Sequence, residues 1–255
     1  MLATERHRKI LSYLEAKGTA RTVDLAEALQ VTDETIRRDL QLLAESHLVG
    51  RVHGGATSLK GTVQLQSFTE RSSIKVEQKK AIAAAAREQI KPGHTYAFDS
   101  STTAFEMVCS LPDLNYRVVT NAYAVLHHMA RMENVELIST GGRYHPKTQT
   151  FNGGDSLRTL RRHNINTAFI SCVGLDPRRG ASEGFEAQAG FKETLVQLAE
   201  KVVLLVDSSK LGNCSEYFFA ELADLTTLIT DDDADSTQVD KLRSEGCEVI
   251  LARKI

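Results

Sequence analysis

Thr32 to Arg51 reads T-D-E-T-I-R-R-D-L-Q-L-L-A-E-S-H-L-V-G-R, and this stretch decides how the N-terminal part of the chain folds. Its first residue is expected to cap a helix, because a threonine hydroxyl can accept a hydrogen bond from an unpaired amide of the first turn. Ile36, Leu40 and Leu43 follow at the spacing that places side chains on one helix face. Two adjacent arginines lie off that face. The stretch therefore predicts a helix that buries one side and exposes a pair of arginines.

The sequence on either side of this helix predicts a winged helix-turn-helix domain. A shorter helix, Thr22–Leu29 with its first residue as the cap, is predicted upstream, and only two residues separate it from Thr32. Two helices joined by so tight a turn form a helix-turn-helix. Downstream, Leu48–Val52 is a β-like run, and H-G-G-A at 53–56 is expected to turn the chain back. The expected inner face of the shorter helix consists of Val23, Leu25, Ala26 and Leu29.

Such a domain is expected to bind double-stranded DNA, with its second helix in the major groove and its wing against phosphates or the minor groove. Net charge gives no support for DNA binding, because residues 1–56 carry eight basic and eight acidic side chains. The expectation depends on the placement of arginines on one face. A helical protein-interaction module is the alternative. The candidate DNA-contacting residues are Thr22, Thr32, Glu34, Thr35, Arg37, Arg38, Arg51 and His53.

Three short motifs occur in order along this region: R-H-R-K-I-L at Arg6–Leu11, T-I-R-R-D-L at Thr35–Leu40 and R-V-H-G-G-A at Arg51–Ala56. In sequence and spacing they resemble the DeoR family of bacterial transcriptional regulators. The resemblance implies a winged helix followed by an α/β domain that senses a phosphorylated sugar or sugar acid. It also implies a regulator, usually a repressor, of a carbohydrate catabolic operon. A homo-oligomer, dimer or tetramer, is expected because one recognition helix reads few bases.

The rest of the chain has the pattern of an α/β domain, in which short apolar runs alternate with helices around a parallel sheet. Residues 58–73 contain few apolar side chains and are interpreted as a linker, with Phe68 and Arg71 as residues that could dock on the second domain. The expected division is a winged helix at 1–57, a linker at 58–73 and an effector-sensing domain at 74–255. The predicted strands are Tyr96–Phe98, Arg117–Val119, Glu136–Ser139, Ala168–Cys172, Val202–Val206, Leu228–Thr230 and Glu248–Leu251. The predicted helices are Glu77–Ile90, Thr102–Ser110, Ala122–Arg131, Asp155–Arg162, Glu186–Glu200 and Ser236–Ser244.

Composition is ordinary for a globular protein, with 255 residues, 42% hydrophobic and 25% charged side chains, and a net charge of −2. The four cysteines are widely spaced and form no C-x-x-C pair, so no metal site is expected. No apolar run reaches membrane-spanning length, so no membrane partner is expected. These features predict a cytoplasmic protein.

Polar residues follow five of the predicted strands. Ligands of open α/β sheets bind beyond the carboxyl ends of the strands. D-S-S-T-T at 99–103 opens a helix whose amides favour an anion, and Lys210 in D-S-S-K is suited to neutralise a phosphate. Turns favour such residues in any case, so each loop taken alone is equally well interpreted as a turn. The candidate effector-binding residues are Asp99, Ser100, Ser101, Thr102, Thr103, Thr120, Asn121, Gly141, Gly142, Gly174, Asp176, Glu183, Lys192, Asp207 and Lys210.

These loops also resemble the sensor domain of DeoR-type regulators, which shares the fold of ribose-5-phosphate isomerase and CoA transferases. The resemblance implies that the D-S-S-T-T loop at 99–103, called the hydroxyl loop below, holds a phosphate and that the other loops hold the sugar. The family commonly has glycine in the first loop, where this chain has Ser100 and Ser101. D-S-S-T-T and S-C-V-G-L-D at Ser171–Asp176 resemble the deoxy-sugar-responsive branch, such as fucose-operon regulators.

Charged residues around position 183 leave alternatives open. Glu183 and Glu186 are suited to bind sugar hydroxyls, but they are equally well interpreted as solvated loop charges or, for Glu186, as a partner of the helix dipole. Lys192 is by default an exposed helix lysine. With Asp176 these residues loosely imitate a sugar-phosphate isomerase, the alternative function, which a coupled isomerase assay would separate from a regulator. No G-x-S-x-G, P-loop or H-E-x-x-H motif is present, so neither a catalytic residue nor a cofactor is expected.

Overall fold

A computed structural model of the chain describes residues 3–45, 49–52, 54–58 and 66–253. The chain divides into two compact units, Met1–Gln64 and Leu65–Ile255. None of the described helices is long and apolar enough to cross a membrane.

The first unit contains helices and a small antiparallel sheet. Its elements are α1 (Ala3–Lys17), β1 (Thr19–Arg21), α2 (Thr22–Leu29), α3 (Asp33–Glu45), β2 (Val49–Val52) and β3 (Gly55–Ser58). The strands have the order β1-β3-β2, which makes β2 and β3 the wing and β1 an added third strand. The sequence analysis predicted the helices and the wing but missed β1, because three residues are too short to show an alternating pattern.

The apolar face of α3 is buried as predicted. Ile36 and Leu40 are fully buried and Leu43 is nearly so, and they pack with Ile10 and Leu14 of α1 into one core. The predicted cap is also confirmed, since the amide of Thr35 donates to the Thr32 hydroxyl over 3.3 Å.

Two details of α2 differ from the prediction. Thr22 does not cap the helix. Arg21 holds the cap position, its side chain makes no hydrogen bond to a helix amide, and Thr22 is buried as the first helical residue. Its amide donates to the carbonyl of Gly54 over 2.8 Å, so the wing satisfies a group that a cap would otherwise serve. Val23 is 52% exposed, and the inner face of α2 is formed by Leu25 and Ala26, with Leu29 partly buried.

A buried carboxylate joins α1 to α3. Asp39, only 3% exposed, accepts hydrogen bonds from the guanidinium of Arg6 and, over 2.9 Å, from Nε2 of His7. Burial favours the protonated acid, but the hydrogen bonds from Arg6 and His7 outweigh it and hold the pKa of Asp39 below its ordinary value. The R-H motif at the start of the chain therefore has a structural role in the core of this unit.

The second unit is an α/β domain, and all of its elements follow one another without long structureless segments. They are α4 (Phe68–Ser72), α5 (Val76–Arg87), β4 (Thr95–Phe98), α6 (Thr102–Val108), β5 (Tyr116–Thr120), α7 (Tyr123–Met129), β6 (Val135–Ser139), β7 (Arg143–His145), β8 (Thr150–Asn152), α8 (Gly154–Leu160), β9 (Ile165–Ile170), β10 (Gly174–Asp176), β11 (Gly180–Glu183), α9 (Glu186–Leu198), β12 (Ala199–Leu205), β13 (Tyr217–Ala220), β14 (Thr227–Asp231), α10 (Ser236–Ser244) and β15 (Glu248–Ala252). Short 3-10 turns lie at Ser208–Lys210 and Leu222–Asp224.

The seven predicted strands form one parallel sheet in the order β15-β14-β12-β9-β4-β5-β6. Its central strands are buried on both faces, and an apolar cluster lies on each side of it. The chain builds outward from β4 to β6 and then from β9 to β15, so the strand order reverses between β4 and β9. That reversal is the topological switch point at which α/β sheets bind ligands. The fourth strand ends at Ile170 rather than at the predicted Cys172, which leaves Ser171 and Cys172 beyond the sheet.

Three features of this unit were not predicted. A hairpin, β7 with β8, and a small sheet of β10, β11 and β13 add to the main sheet. The prediction of a linker at 58–73 is wrong for residues 68–72, which form α4. A capping box between Ser67 and Glu70 starts α4, and the buried ring of Phe68 lies 5.5 Å from that of Phe105. One buried aromatic residue is enough to attach so short a helix, and it leaves almost no periodic pattern in the sequence.

We expect Ile36→Asp to unfold the first unit and to leave the melting of the second unit unchanged. The substitution places an unpaired charge in the core of the first unit, which costs several kcal/mol, on the order of 3 or more. Val23→Asp, on the exposed side of α2, is the matched control and should have little effect. Circular dichroism and calorimetric melting of both variants check this. A single transition of the whole chain that shifts as one would contradict it.

Candidate nucleic-acid interface and effector crevice

The solvent-facing side of α3 carries the predicted arginines. Arg37 and Arg38 are both exposed, and Arg37 lies 3.8 Å from the carboxylate of Glu34. Arg38 has no ion-pair or hydrogen-bond partner among the described residues. The hydroxyl of Thr35 lies 2.9 Å from that of Thr32 at the start of the helix. These residues share one end and one face of α3, as a helix that reads DNA requires.

The wing explains the glycines of the R-V-H-G-G-A motif. Arg51 lies in β2 and pairs in register with Ala56, while His53 lies outside the described residues. A Cβ added at Gly55 would lie 2.1 Å from the carbonyl oxygen of Ala20 in β1. Gly55 is therefore required by close strand packing, and Arg51 lies on a short, regular hairpin.

At the switch point of the second unit, the loops after β4, β9 and β12 meet. The carboxylate of Asp99 accepts from the amide of Ser101 over 3.0 Å and from the amide of Ser171 over 2.9 Å. The ammonium of Lys210 lies 3.3 Å from the hydroxyl of Ser171. Asp99 of the hydroxyl loop and Lys210 thus both contact Ser171 at the switch point, where α/β sheets bind ligands. This meeting point of the three loops is called the crevice below.

Lys192 lies at the bottom of this crevice, fully enclosed. Its ammonium contacts the carboxylates of Glu183 and of Asp99, the latter at 3.1 Å, and donates to the carbonyl of Ser171 over 2.6 Å. Burial works to lower its pKa, but the charges of Glu183 and Asp99 outweigh burial and raise it. The interpretations of Lys192 as an exposed helix lysine and of Glu183 as a solvated charge are therefore wrong. Glu186 is exposed at the first position of α9, where it suits the helix dipole.

The hydroxyl loop divides into residues that build it and residues that are left unpaired. Ser101 caps α6 by accepting from the amide of Ala104, and the hydroxyl of Thr120 donates to the carbonyl of Phe98 over 2.7 Å. Two buried side-chain oxygens of these loops have no hydrogen-bond partner among the described residues, Oγ1 of Thr103 and Oδ1 of Asn121. The side chains of Ser100 and Thr102 beside them are also buried. Buried polar atoms are normally satisfied, so these two oxygens have an unused capacity to bond.

The turn after β12 is held by two buried aspartates. Asp207 accepts from the hydroxyl of Ser209 and lies 3.4 Å from the ammonium of Lys210. Burial raises the pKa of Asp207, but Lys210 and Ser209 outweigh it and the pKa is lowered. Asp231 lies at the end of β14 and accepts hydrogen bonds from the amide and the hydroxyl of Ser208. It was not among the predicted site residues. The D-D-D run at 231–233 was its only signal.

Some predicted residues lie away from the crevice. Gly141 and Gly142 follow β6, the edge strand, two strands from β4. Asp176 accepts from the amides of Arg178 and Arg179 in the turn between β10 and β11. A Cβ at Gly174 would lie 2.6 Å from the carbonyl oxygen of Asn213, so this glycine is required by packing.

Two basic residues near the crevice were not among the predicted site residues. Lys79 of α5 is 5% exposed and donates to the carbonyl of Arg71 in α4. Burial and the charge of Lys210 lower the pKa of Lys79 to about 8. Arg71 was predicted only as a residue that could dock on the second domain, and the helix pattern of α5 did not single out Lys79. Among the described residues, no group of three or more histidine, cysteine or carboxylate side chains is arranged to hold a metal ion.

Comparison with known proteins agrees with this geometry. Residues 6–62 match the model of a DeoR-like helix-turn-helix domain, and residues 74–232 match that of the DeoR C-terminal sensor domain. The chain is 36% identical to the uncharacterized HTH-type transcriptional regulator YulB of Bacillus subtilis, over 98% of this chain and 96% of the relative. It is 34% identical to an L-fucose operon activator of Haemophilus influenzae, over 89% and 91%.

Among solved structures, ribose 5-phosphate isomerase A from Methanocaldococcus jannaschii is similar to part of the chain, with 16% identity, 52% of each chain covered and a TM-score of 0.39. The two domain matches and the full-length relatives establish that the chain belongs to the DeoR family of transcriptional regulators.

Proposed function

We propose that the chain binds operator DNA through its winged helix and that a phosphorylated sugar or sugar acid, bound in the crevice of the second unit, controls this binding. The observation that carries the proposal is the meeting of two strand-end loops at Ser171: Asp99 of the D-S-S-T-T loop, which also holds the buried, unpaired hydroxyl of Thr103, and Lys210 both contact it. Helix amides, hydroxyls and an ammonium together make a phosphate site. The regulated genes are those of a carbohydrate catabolic operon, which the relative named as an L-fucose operon activator supports.

The DNA-binding part of the proposal is supported by α3 and the wing. The exposed arginines lie on a helix whose opposite face is buried, and Arg51 lies on the hairpin beside it. Thr32, Glu34 and Thr35 start the helix, where side chains contact the DNA backbone. Thr22 offers a buried side chain, and its amide is already bonded to Gly54, so its contribution is to hold the wing.

The protein acts in this proposal as a cytoplasmic homo-oligomer. One recognition helix reads few base pairs, so two copies that bind paired half-sites multiply specificity. The effector changes DNA affinity only to the extent that it binds one state of the protein better than the other.

An isomerase is the weaker alternative. A base catalyst needs a carboxylate that is free to accept a proton, whereas Glu183 is buried and joined to Lys192. Of the other carboxylates invoked for that chemistry, Asp176 holds a turn and Glu186 is exposed at the start of α9. This geometry supports a site that binds rather than one that abstracts protons.

We expect Arg38→Ala to weaken operator binding by about 1–3 kcal/mol, the contribution of a bidentate contact to guanine. Folding should be unchanged, because the side chain is exposed. The operator is first selected from random duplexes, and affinity is then measured by fluorescence anisotropy. Arg87→Ala, at the end of α5, is the charge-matched control. Equal affinities of Arg38→Ala and the unaltered protein would refute the assignment of α3.

We expect Thr102→Ala and Lys210→Ala each to weaken effector binding by about tenfold or more, because hydrogen bonds to a charged group contribute roughly 1.5–3 kcal/mol. The effector is first identified by a thermal-shift screen of sugar phosphates, and its affinity is then measured by calorimetry. Lys201→Ala, exposed at the opposite end of β12, is the control.

Both variants should still bind operator DNA and should no longer respond to the effector. The unphosphorylated sugar should bind far more weakly than its phosphate. Equal affinity for the two forms, or a normal response in both variants, would show that this loop is only a turn.

A further inference from the structure

Arg71 carries a buried and incompletely paired cation in the second unit. Its Nη2 atom is buried and has no hydrogen-bond partner among the described residues. The charges that act on the guanidinium are the carboxylates of Glu183 and Asp99, which also flank Lys192. Phe68 of the same helix packs on Phe105 of α6, the helix that begins at the hydroxyl loop, so α4 places Arg71 beside the crevice.

The carboxylates do not complete the bonding of Arg71. Asp99 already accepts from Ser101, Ser171 and Lys192, and Glu183 accepts from Lys192. Burial lowers the pKa of Arg71, and Glu183 and Asp99 offset this only in part. A buried guanidinium nitrogen without an acceptor is costly, and an anionic oxygen is the partner that would remove this cost.

The helix that carries Arg71 is fixed to the second unit on several sides. The amide of Phe68 donates to the carbonyl of Lys147 over 2.9 Å, and the Phe68 ring packs on Phe105. The guanidinium carbon of Arg71 lies 5.8 Å from the centre of the Phe68 ring, and Lys79 donates to the Arg71 carbonyl. The side chain is thus positioned in advance, as a binding residue requires.

We infer that Arg71 is a ligand of the effector and donates hydrogen bonds from its guanidinium to an anionic group, phosphate or carboxylate, in the crevice. This inference rests on the proposed function and adds a residue from outside the strand-end loops. Arginine suits the role because its planar fork matches such groups. Since Arg71 lies in α4, an anion bound to it also ties that helix to the crevice.

The test uses inorganic phosphate as the probe and the full-length chain. Affinity is measured by calorimetry, and amide hydrogen exchange is followed over residues 68–74 with and without phosphate. Arg71→Gln should weaken phosphate binding by about tenfold or more, as expected for loss of a bond to a charged group. Phosphate should slow exchange in α4 of the unaltered protein and not of this variant. Arg87→Gln, which removes an exposed arginine, should behave as the unaltered protein.

Arg71→Lys controls for a loss of folding, because lysine keeps the positive charge but lacks the planar guanidinium. It should melt as the unaltered protein does and still bind phosphate more weakly. Normal affinity in both Arg71 variants, with binding lost in Lys210→Ala, would overturn the inference and leave the proposed function standing. No saturable binding of phosphate to the unaltered protein would count against both.

Discussion

The ammonium of Lys192 is the charge around which the crevice of the second unit is built. It comes from α9 and contacts Asp99 after β4, Glu183 at the end of β11 and the carbonyl of Ser171 after β9. All of these groups are almost fully buried, and a buried charge is tolerated only when it is paired and hydrogen-bonded. The contacts therefore fix four separate segments of the chain to one another and give the switch point a single geometry.

This arrangement also determines where an anion can bind. Two carboxylates share the ammonium of Lys192, so the atoms next to it suit the hydroxyls of a ligand. The buried, unpaired hydroxyl of Thr103 and the ammonium of Lys210, which contacts Ser171, lie beyond the ends of β4 and β12, the two strands that flank β9. A sugar that carries a charged group at one end and hydroxyls along its length fits such a division. In the proposed function, the buried carboxylates accept from the hydroxyls of the sugar, and the cations bind its charged end.

The sequence predicted whatever depends on repeated apolar spacing. The face of Ile36 and Leu40 and the seven strands of the parallel sheet were predicted in this way, as were the loops at the strand ends. It did not predict β1 or α4, because T-A-R at 19–21 is not an apolar run and F-T-E-R-S at 68–72 contains a single apolar residue. Lys192 was correctly named as a candidate but interpreted as exposed, since nothing local to α9 shows that Asp99 and Glu183 approach it from other segments. The turn at Asp176 and the packing at Gly174 mimic the composition of a binding loop, and only the fold separates them from one.

A crystal structure of the full-length chain with a bound sugar monophosphate tests the central claim most directly. The ligand is chosen as the compound that raises the melting temperature of the protein most. The account predicts phosphate density within hydrogen-bond distance of the hydroxyls of Ser100 and Thr102 and of the ammonium of Lys210, with the sugar extending toward Glu183. Phosphate density elsewhere, for example in the open apolar groove between Phe105 and Tyr123, would contradict it.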